Sequence, residues 1–144
     1  MQGFPHHYLT SGSGEAEGVV VVSGEGLPDL DTHAPPQFGG PEGVWSPESM
    51  LSAAVGNCFI LSFRAIARAS KFEWRSLECK VDGILDRPER VTWFTKFNIH
   101  VVLQVPNGAN VEMAQRLLEK AEQICLITAS LKSETVLTTD IQEV

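Results

Sequence analysis

Three cysteines, Cys58, Cys79 and Cys125, are the residues of this chain best suited to chemistry. A thiolate is a nucleophile, and two thiols that can meet store two electrons as a disulfide. The sequence contains no C-x-x-C and no Cys/His cluster with zinc spacing, so the thiols point to redox chemistry or to plain burial rather than to a metal. Cys58 and Cys125 each sit in an apolar helical setting with no charged neighbour in sequence. Apolar surroundings raise a thiol above its free pKa of about 8.5, so a reactive cysteine here needs a cation, hydrogen-bond donors or a helix N-terminus supplied by the fold. Cys79 is in phase with Leu77 and Val81 on the inward side of a strand pattern, and core burial is its expected role.

Elements that could hold these thiols are legible on either side of them. Trp45-Ser-Pro-Glu-Ser49 opens a helix, with Ser46 as N-cap, Pro47 at the first helical position and Glu48 where a carboxylate favours the helix dipole. From Met50 to Ala69 apolar residues recur at three- and four-residue spacing, while Ile60, Leu61 and Phe63 make other faces apolar as well. This predicts a central helix of roughly 36 Å, ending near Ser70 and Lys71 and covered on more than one side. Asn57, Arg64 and Arg68 interrupt it, which argues against a membrane span.

Leu77, Cys79, Val81 and Leu85 then alternate with polar residues. After the turn at Asp86-Arg-Pro-Glu-Arg90, a longer run places Val91, Trp93, Thr95, Phe97, Ile99, Val101, Leu103 and Val105 on one face. A hairpin is predicted from this pair of runs, with His100 on its polar face. Pro106-Asn-Gly-Ala-Asn110 ends the hairpin and caps a second amphipathic helix that runs through Ala114, Leu117, Leu118 and Ala121 to Cys125; Thr135 to Ile141 closes the chain as a strand. The first 45 residues are turn-rich. Val19 to Val22 suits a strand entering a turn, and His7 to Thr10 is a weaker strand candidate, so a small meander followed by a loop is expected.

A chain of 144 residues and 15.7 kDa suits one domain, with the meander and loop over 1–45 and a helix, hairpin, helix and strand over 46–144. Its 43% apolar and 20% charged residues are globular proportions and exclude a disordered or fibrous class. A net charge of −7 repels phosphate backbones and anionic lipid, so neither nucleic acid nor a membrane surface is an expected partner. Met1 to Tyr8 lacks a basic segment followed by an apolar one, and a cytoplasmic location is expected.

In order and spacing these features resemble the superfamily of organic hydroperoxide reductases and osmotically inducible protein C, the OsmC/Ohr superfamily. The resemblance rests on Gly39-Gly-Pro-Glu-Gly-Val-Trp-Ser-Pro-Glu48 leading to Asn57-Cys58-Phe59, and on Ala121-Glu-Gln-Ile-Cys125 followed by Ser130-Leu-Lys-Ser133. It spans nearly the whole chain. It implies an α+β, OsmC-like fold: an intertwined homodimer with long central helices packed against antiparallel sheets. It implies a thiol-dependent peroxidase acting on organic hydroperoxides. Cys58 would match the peroxidatic thiolate, Cys125 the resolving thiol, and Glu48 the glutamate that holds an arginine over the reactive sulfur. A dithiol reductant, typically dihydrolipoamide on a lipoylated protein, would reset the pair, with no metal or bound organic cofactor required.

The sequence departs from that pattern in two places. Gly12-Ser-Gly-Glu-Ala-Glu-Gly18 stands where the family carries its arginine, with Ala16 or its neighbours in place of the cation, and no Arg precedes Arg64. His6, His7, His33 and Lys132 are the candidate substitutes, each also readable as an ordinary surface group. Leu126-Ile127 follows Cys125 where many members have proline. A second reading follows from the missing arginine: a dimer of the same fold that binds a small molecule or senses redox state without efficient turnover.

Overall fold

A computed structural model describes the whole chain, Met1–Val144. It is an α+β architecture with two three-stranded sheets and one long helix, and it divides into two compact units, Met1–Met50 and Leu51–Val144. In the N-terminal unit, β1 (Thr10–Ser13), β2 (Val20–Gly24) and β3 (Leu30–Thr32) form an antiparallel meander in that order. The first strand lies three residues later than the sequence pattern indicates, because it pairs where Ser11 and Ser23 face one another and their hydroxyls meet at 3.0 Å. Thr32 is buried and donates its hydroxyl to the Val20 carbonyl at 2.8 Å, tying β3 to β2. A 3₁₀ turn at Pro36–Phe38 follows, and Thr32 forms a parallel bridge to Trp45 just before helix α1 (Pro47–Ala69) begins.

The start of α1 is capped as its sequence requires. Ser46 Oγ accepts from the Ser49 amide at 3.1 Å, and Ser49 Oγ accepts from the Ser46 amide at 2.8 Å, so two end-of-helix donors are satisfied reciprocally. α1 is long and apolar enough to cross a membrane by length and composition. Its Val55, Phe59, Phe63 and Ala67 are instead buried in the core of a folded unit.

That core is built against the second sheet. Strands β4 (Ser76–Asp86) and β5 (Trp93–Val105) form the expected hairpin, with a register shift at Ile84/Leu85. Along β5 the odd-numbered residues from Phe97 to Val105 are buried, while Asn98 and His100 are exposed, as period-two patterning demands. Val91 stays outside the strand and is 59% exposed. Helix α2 (Val111–Ile124) is capped by Asn110, whose side chain accepts from the Met113 amide at 3.0 Å, and it buries Ala114, Leu117, Leu118 and Ala121. A short turn of helix, α3 (Leu126–Ala129), follows directly after Cys125.

The last strand, β6 (Glu134–Glu143), pairs with β5 in parallel, so this sheet is mixed rather than antiparallel throughout. The cause is the helical crossover: α2 carries the chain back along the sheet, and the next strand must then run in the direction of β5. Thr139 donates its hydroxyl to Gln115 Oε1 at 2.7 Å, fixing α2 over β6.

Gly83 marks the tightest passage between α1 and β4. A Cβ there would lie 2.5 Å from Ser52 Oγ and 2.9 Å from a ring carbon of Phe97. Gly83→Ala is therefore expected to destabilise the fold by about 1–3 kcal/mol through overpacking, read as a lower denaturant midpoint with an unchanged slope.

Candidate active site

Cys58 and Cys125 are far apart in sequence and are neighbours in the folded chain, where the Cys58 thiol is one of the groups that act on Cys125. Cys58 projects from the middle of α1 because it precedes the buried Phe59, and its partly exposed sulfur has Ser62 Oγ, one turn on, at 3.9 Å. Cys125 closes α2 just after Ala121 and Ile124 and is only 2% exposed. All three cysteines are free thiols.

The surroundings of Cys125 act on its thiol in opposite senses. Burial pushes the Cys125 thiol up, yet the contacts with the Thr128 amide and hydroxyl, the Cys58 thiol and the Ile127 amide outweigh burial and hold it below the ordinary thiol range. The turn at Leu126–Ala129 supplies the Thr128 and Ile127 groups, and Thr128 Oγ1 also donates to the Cys125 carbonyl at 3.1 Å. Cys79, on the inward side of β4, is pushed up to about 11, first by burial and then by the charge of Cys125. Its sulfur lies against α1, 3.7 Å from where a Cβ on Gly56 would sit.

Glu48 lies in the N-terminal unit, in the first turn of α1. It lines a cavity of about 420 Å³ whose other walls include Val20, Val22, Phe38 and Met50. His33 lines the same cavity, and both Glu48 Oε1 and His33 Nδ1 are buried without a hydrogen-bond partner. Of the candidate substitute cations, His33 thus shares a wall with Glu48. His6 is engaged by Tyr8 Oη at 3.2 Å and the Gln2 carbonyl at 2.9 Å, His7 is exposed, and the Lys132 ammonium sits 4.5 Å from the centre of the Trp93 ring.

Thr128 and Ser62 are the polar neighbours of the thiols that sequence reading passes over. Their signals are weak but present: Thr128 follows Cys125 by three residues and Ser62 follows Cys58 by four, the spacings of neighbours on a helical turn.

The Cys79 shift has a measurable sign. A thiol whose folded pKa is raised leaves stability untouched below the ordinary thiol value and lowers it as pH climbs toward about 11. Thermal midpoints of the parent should therefore fall more steeply between pH 9 and 11 than those of Cys79→Ala. Parallel curves for the two proteins would contradict this placement of Cys79.

A profile of the OsmC-like protein family matches residues 40–140. The uncharacterized protein YmaD of Bacillus subtilis (strain 168) is 27% identical over 107 residues, covering 72% of this chain and 71% of YmaD. Among solved structures, an OsmC-like protein of unknown function from Vibrio cholerae O1 biovar eltor superposes with a TM-score of 0.83 at 19% identity, over 94% of this chain and 99% of that one. The organic hydroperoxide resistance protein OsmC of Legionella pneumophila superposes with a TM-score of 0.71 at 22% identity, over 95% of this chain and 97% of that one. The structural likenesses carry the fold, and the profile covers the capped helix start, both thiols and all but the end of the mixed sheet: the chain belongs to the OsmC-like protein family.

Proposed function

We propose that this protein is a thiol-dependent peroxidase that reduces organic hydroperoxides through Cys58 and Cys125 in defence against oxidative stress. The observation that carries this reading is that two free thiols are neighbours in the fold, one of them held toward its ionised form. The names of solved relatives support it, since the Legionella protein is described as a hydroperoxide resistance and predicted redox protein.

In this reading the Cys125 thiolate takes the proton of the Cys58 thiol. The Cys58 thiolate attacks the peroxide O–O bond and becomes a sulfenic acid, while the alkoxide leaves and collects the proton, giving the alcohol. Cys125, a thiolate again once that proton has passed to the alkoxide, attacks the sulfenic sulfur; the leaving hydroxide takes a proton from solvent and departs as water as the disulfide forms. An external dithiol, such as a lipoylated protein, restores both thiols by taking over the disulfide. Glu48 belongs to the site in this reading, with His33 as the group that stands in for the absent arginine.

The same reading makes the working unit a homodimer in the cytoplasm. Along α1, Leu61 remains 49% exposed, and Ala53 and Ala65 are exposed at the same four-residue spacing, a row interrupted by Asn57 that a second copy would cover. Sedimentation at micromolar concentration should give about twice the 15.7 kDa chain mass. A folded monomer there would remove the shared-interface site.

A second reading, a small-molecule binding or redox-sensing dimer without efficient turnover, is favoured by the absence of any Lys or Arg before Arg64. Single-turnover kinetics separate the two. A peroxidase should consume one equivalent of an alkyl hydroperoxide within seconds and show a Cys58–Cys125 disulfide with Cys79 reduced on peptide mapping. Cys58→Ser should abolish consumption. Cys125→Ser should stop after one equivalent, at a rate lower by on the order of a hundredfold for loss of the base. Slow oxidation of the parent supports the sensor or binder, and a bridge that contains Cys79 overturns the division of roles between Cys58 and Cys125.

A further inference from the structure

Charge is divided unevenly along the chain. Met1–Met50 contains Glu15, Glu17, Glu25, Asp29, Asp31, Glu42 and Glu48 and neither Lys nor Arg, while Leu51–Val144 is balanced, so the net charge of −7 is the excess of one unit. All of these carboxylates except Glu48 are exposed. A second copy brings the same excess and nothing to cancel it, so the sign holds for a monomer and a homodimer alike.

The thiols themselves stand in uncharged stretches. From Ala54 to Ser62 no residue around Cys58 is charged, and from Ala121 to Ala129 Glu122 is the single charged residue around Cys125. Arg64 and Lys120, the cations next in line along α1 and α2, lie a third of a turn or more round the helix from the line of each cysteine. Lys132 stands over the Trp93 ring, and Arg75 and Lys80 pair with Glu73 and Glu78. A protonated His33 offsets one carboxylate of the seven.

We propose that the Cys58 and Cys125 site acts on uncharged organic hydroperoxides, whether alkyl, aryl or esterified, and discriminates against hydroperoxides that carry a carboxylate. This rests on the peroxidase reading of the same site and adds the charge class of its substrate. With either substrate the two thiols supply two electrons, the O–O bond breaks, and an alcohol, water and a disulfide are formed, so charge alone separates them. A carboxylate that leaves water needs a cation or several donors in exchange. It also approaches against the field of the whole molecule. In about 0.01 M salt the Debye length is ~30 Å, the width of a small domain, and the summed charge acts on an incoming anion wherever the acidic residues sit. In physiological salt that length falls to about 8 Å, and the uncharged stretches around Cys58 and Cys125 decide.

The test uses two pairs of probes on the full chain. In single turnover the protein receives cumene hydroperoxide bearing a para carboxylate, or the corresponding para methyl ester, which differ in one charge remote from the O–O bond. In parallel Cys58 is alkylated by iodoacetate or by iodoacetamide, where the thiolate displaces iodide and no peroxide takes part, and labelling is read by peptide mapping. Rates are normalised to free 2-mercaptoethanol, and ionisation of the thiol cancels within each pair. At about 0.01 M salt the uncharged member of each pair should react on the order of tenfold faster than the anion, and about 0.3 M salt should narrow the ratio by speeding the anion alone. The combined variant Glu15→Gln, Glu17→Gln, Glu25→Gln and Asp29→Asn, all exposed positions, should narrow the low-salt ratio in the same way and leave the uncharged rates unchanged. Equal rates within the pairs, a faster anion, or ratios that respond to neither salt nor the combined variant would overturn the charge rule, and peroxide consumption in those cases leaves the peroxidase reading standing. Preference for iodoacetamide with neither peroxide consumed overturns the peroxidase reading and supports the charge rule at Cys58. A Cys58 inert to all four probes overturns both.

Discussion

The C-terminal unit depends on one packing contact, the face of α1 made by Val55, Phe59, Phe63 and Ala67 laid on the inner row of β5 from Phe97 to Val105, all of it closed to solvent. Close packing of this kind leaves no freedom to rotate the helix, because a turn of one residue would exchange Phe59 for Cys58 or Ile60, whose shapes differ from the space it fills. It thereby fixes where Cys58 points, and with it which part of the chain can reach that sulfur. Gly56 and Gly83 belong to the same constraint, since each lets helix and strand approach where a methyl group would collide or crowd.

Much of this was legible in the sequence because it is written in local chemistry. The Ser46-Pro47 helix start, the Asn110 cap and the alternation along Phe97–Val105 are each decided by residues within a few positions of one another, and each appears where its pattern places it. The meander was legible in outline, with β1 displaced because cross-strand pairing, not propensity, sets its limits. The parallel pairing of β6 was not legible, since strand direction follows from the crossover and leaves no mark within Thr135–Ile141.

The site divides in the same way. Cys58, Cys125 and Glu48 could be singled out by type and spacing, and the inward phase of Cys79 could be read from Leu77 and Val81. What could not be read is that the surroundings of Cys125 favour its anion. An apolar helical context alone works against it; the reversal comes chiefly from the turn at Leu126–Ala129, whose Thr128 acts through three-dimensional placement. The orphaned atoms of His33 and Glu48 are likewise a property of the folded N-terminal unit, fifteen positions apart in the chain and joined by one cavity wall.

The parallel strand β6 also orders events in time. The β4–β5 hairpin is a short-range structure, able to form as soon as its residues are available, whereas β6 must wait for the whole of α2 and α3 to be laid down before it can reach β5. Cys125 sits inside that late crossover and Cys58 on the helix that precedes the hairpin. Cys58 is therefore laid down well before the crossover that carries Cys125, and the pair can come together only after that crossover has begun to form.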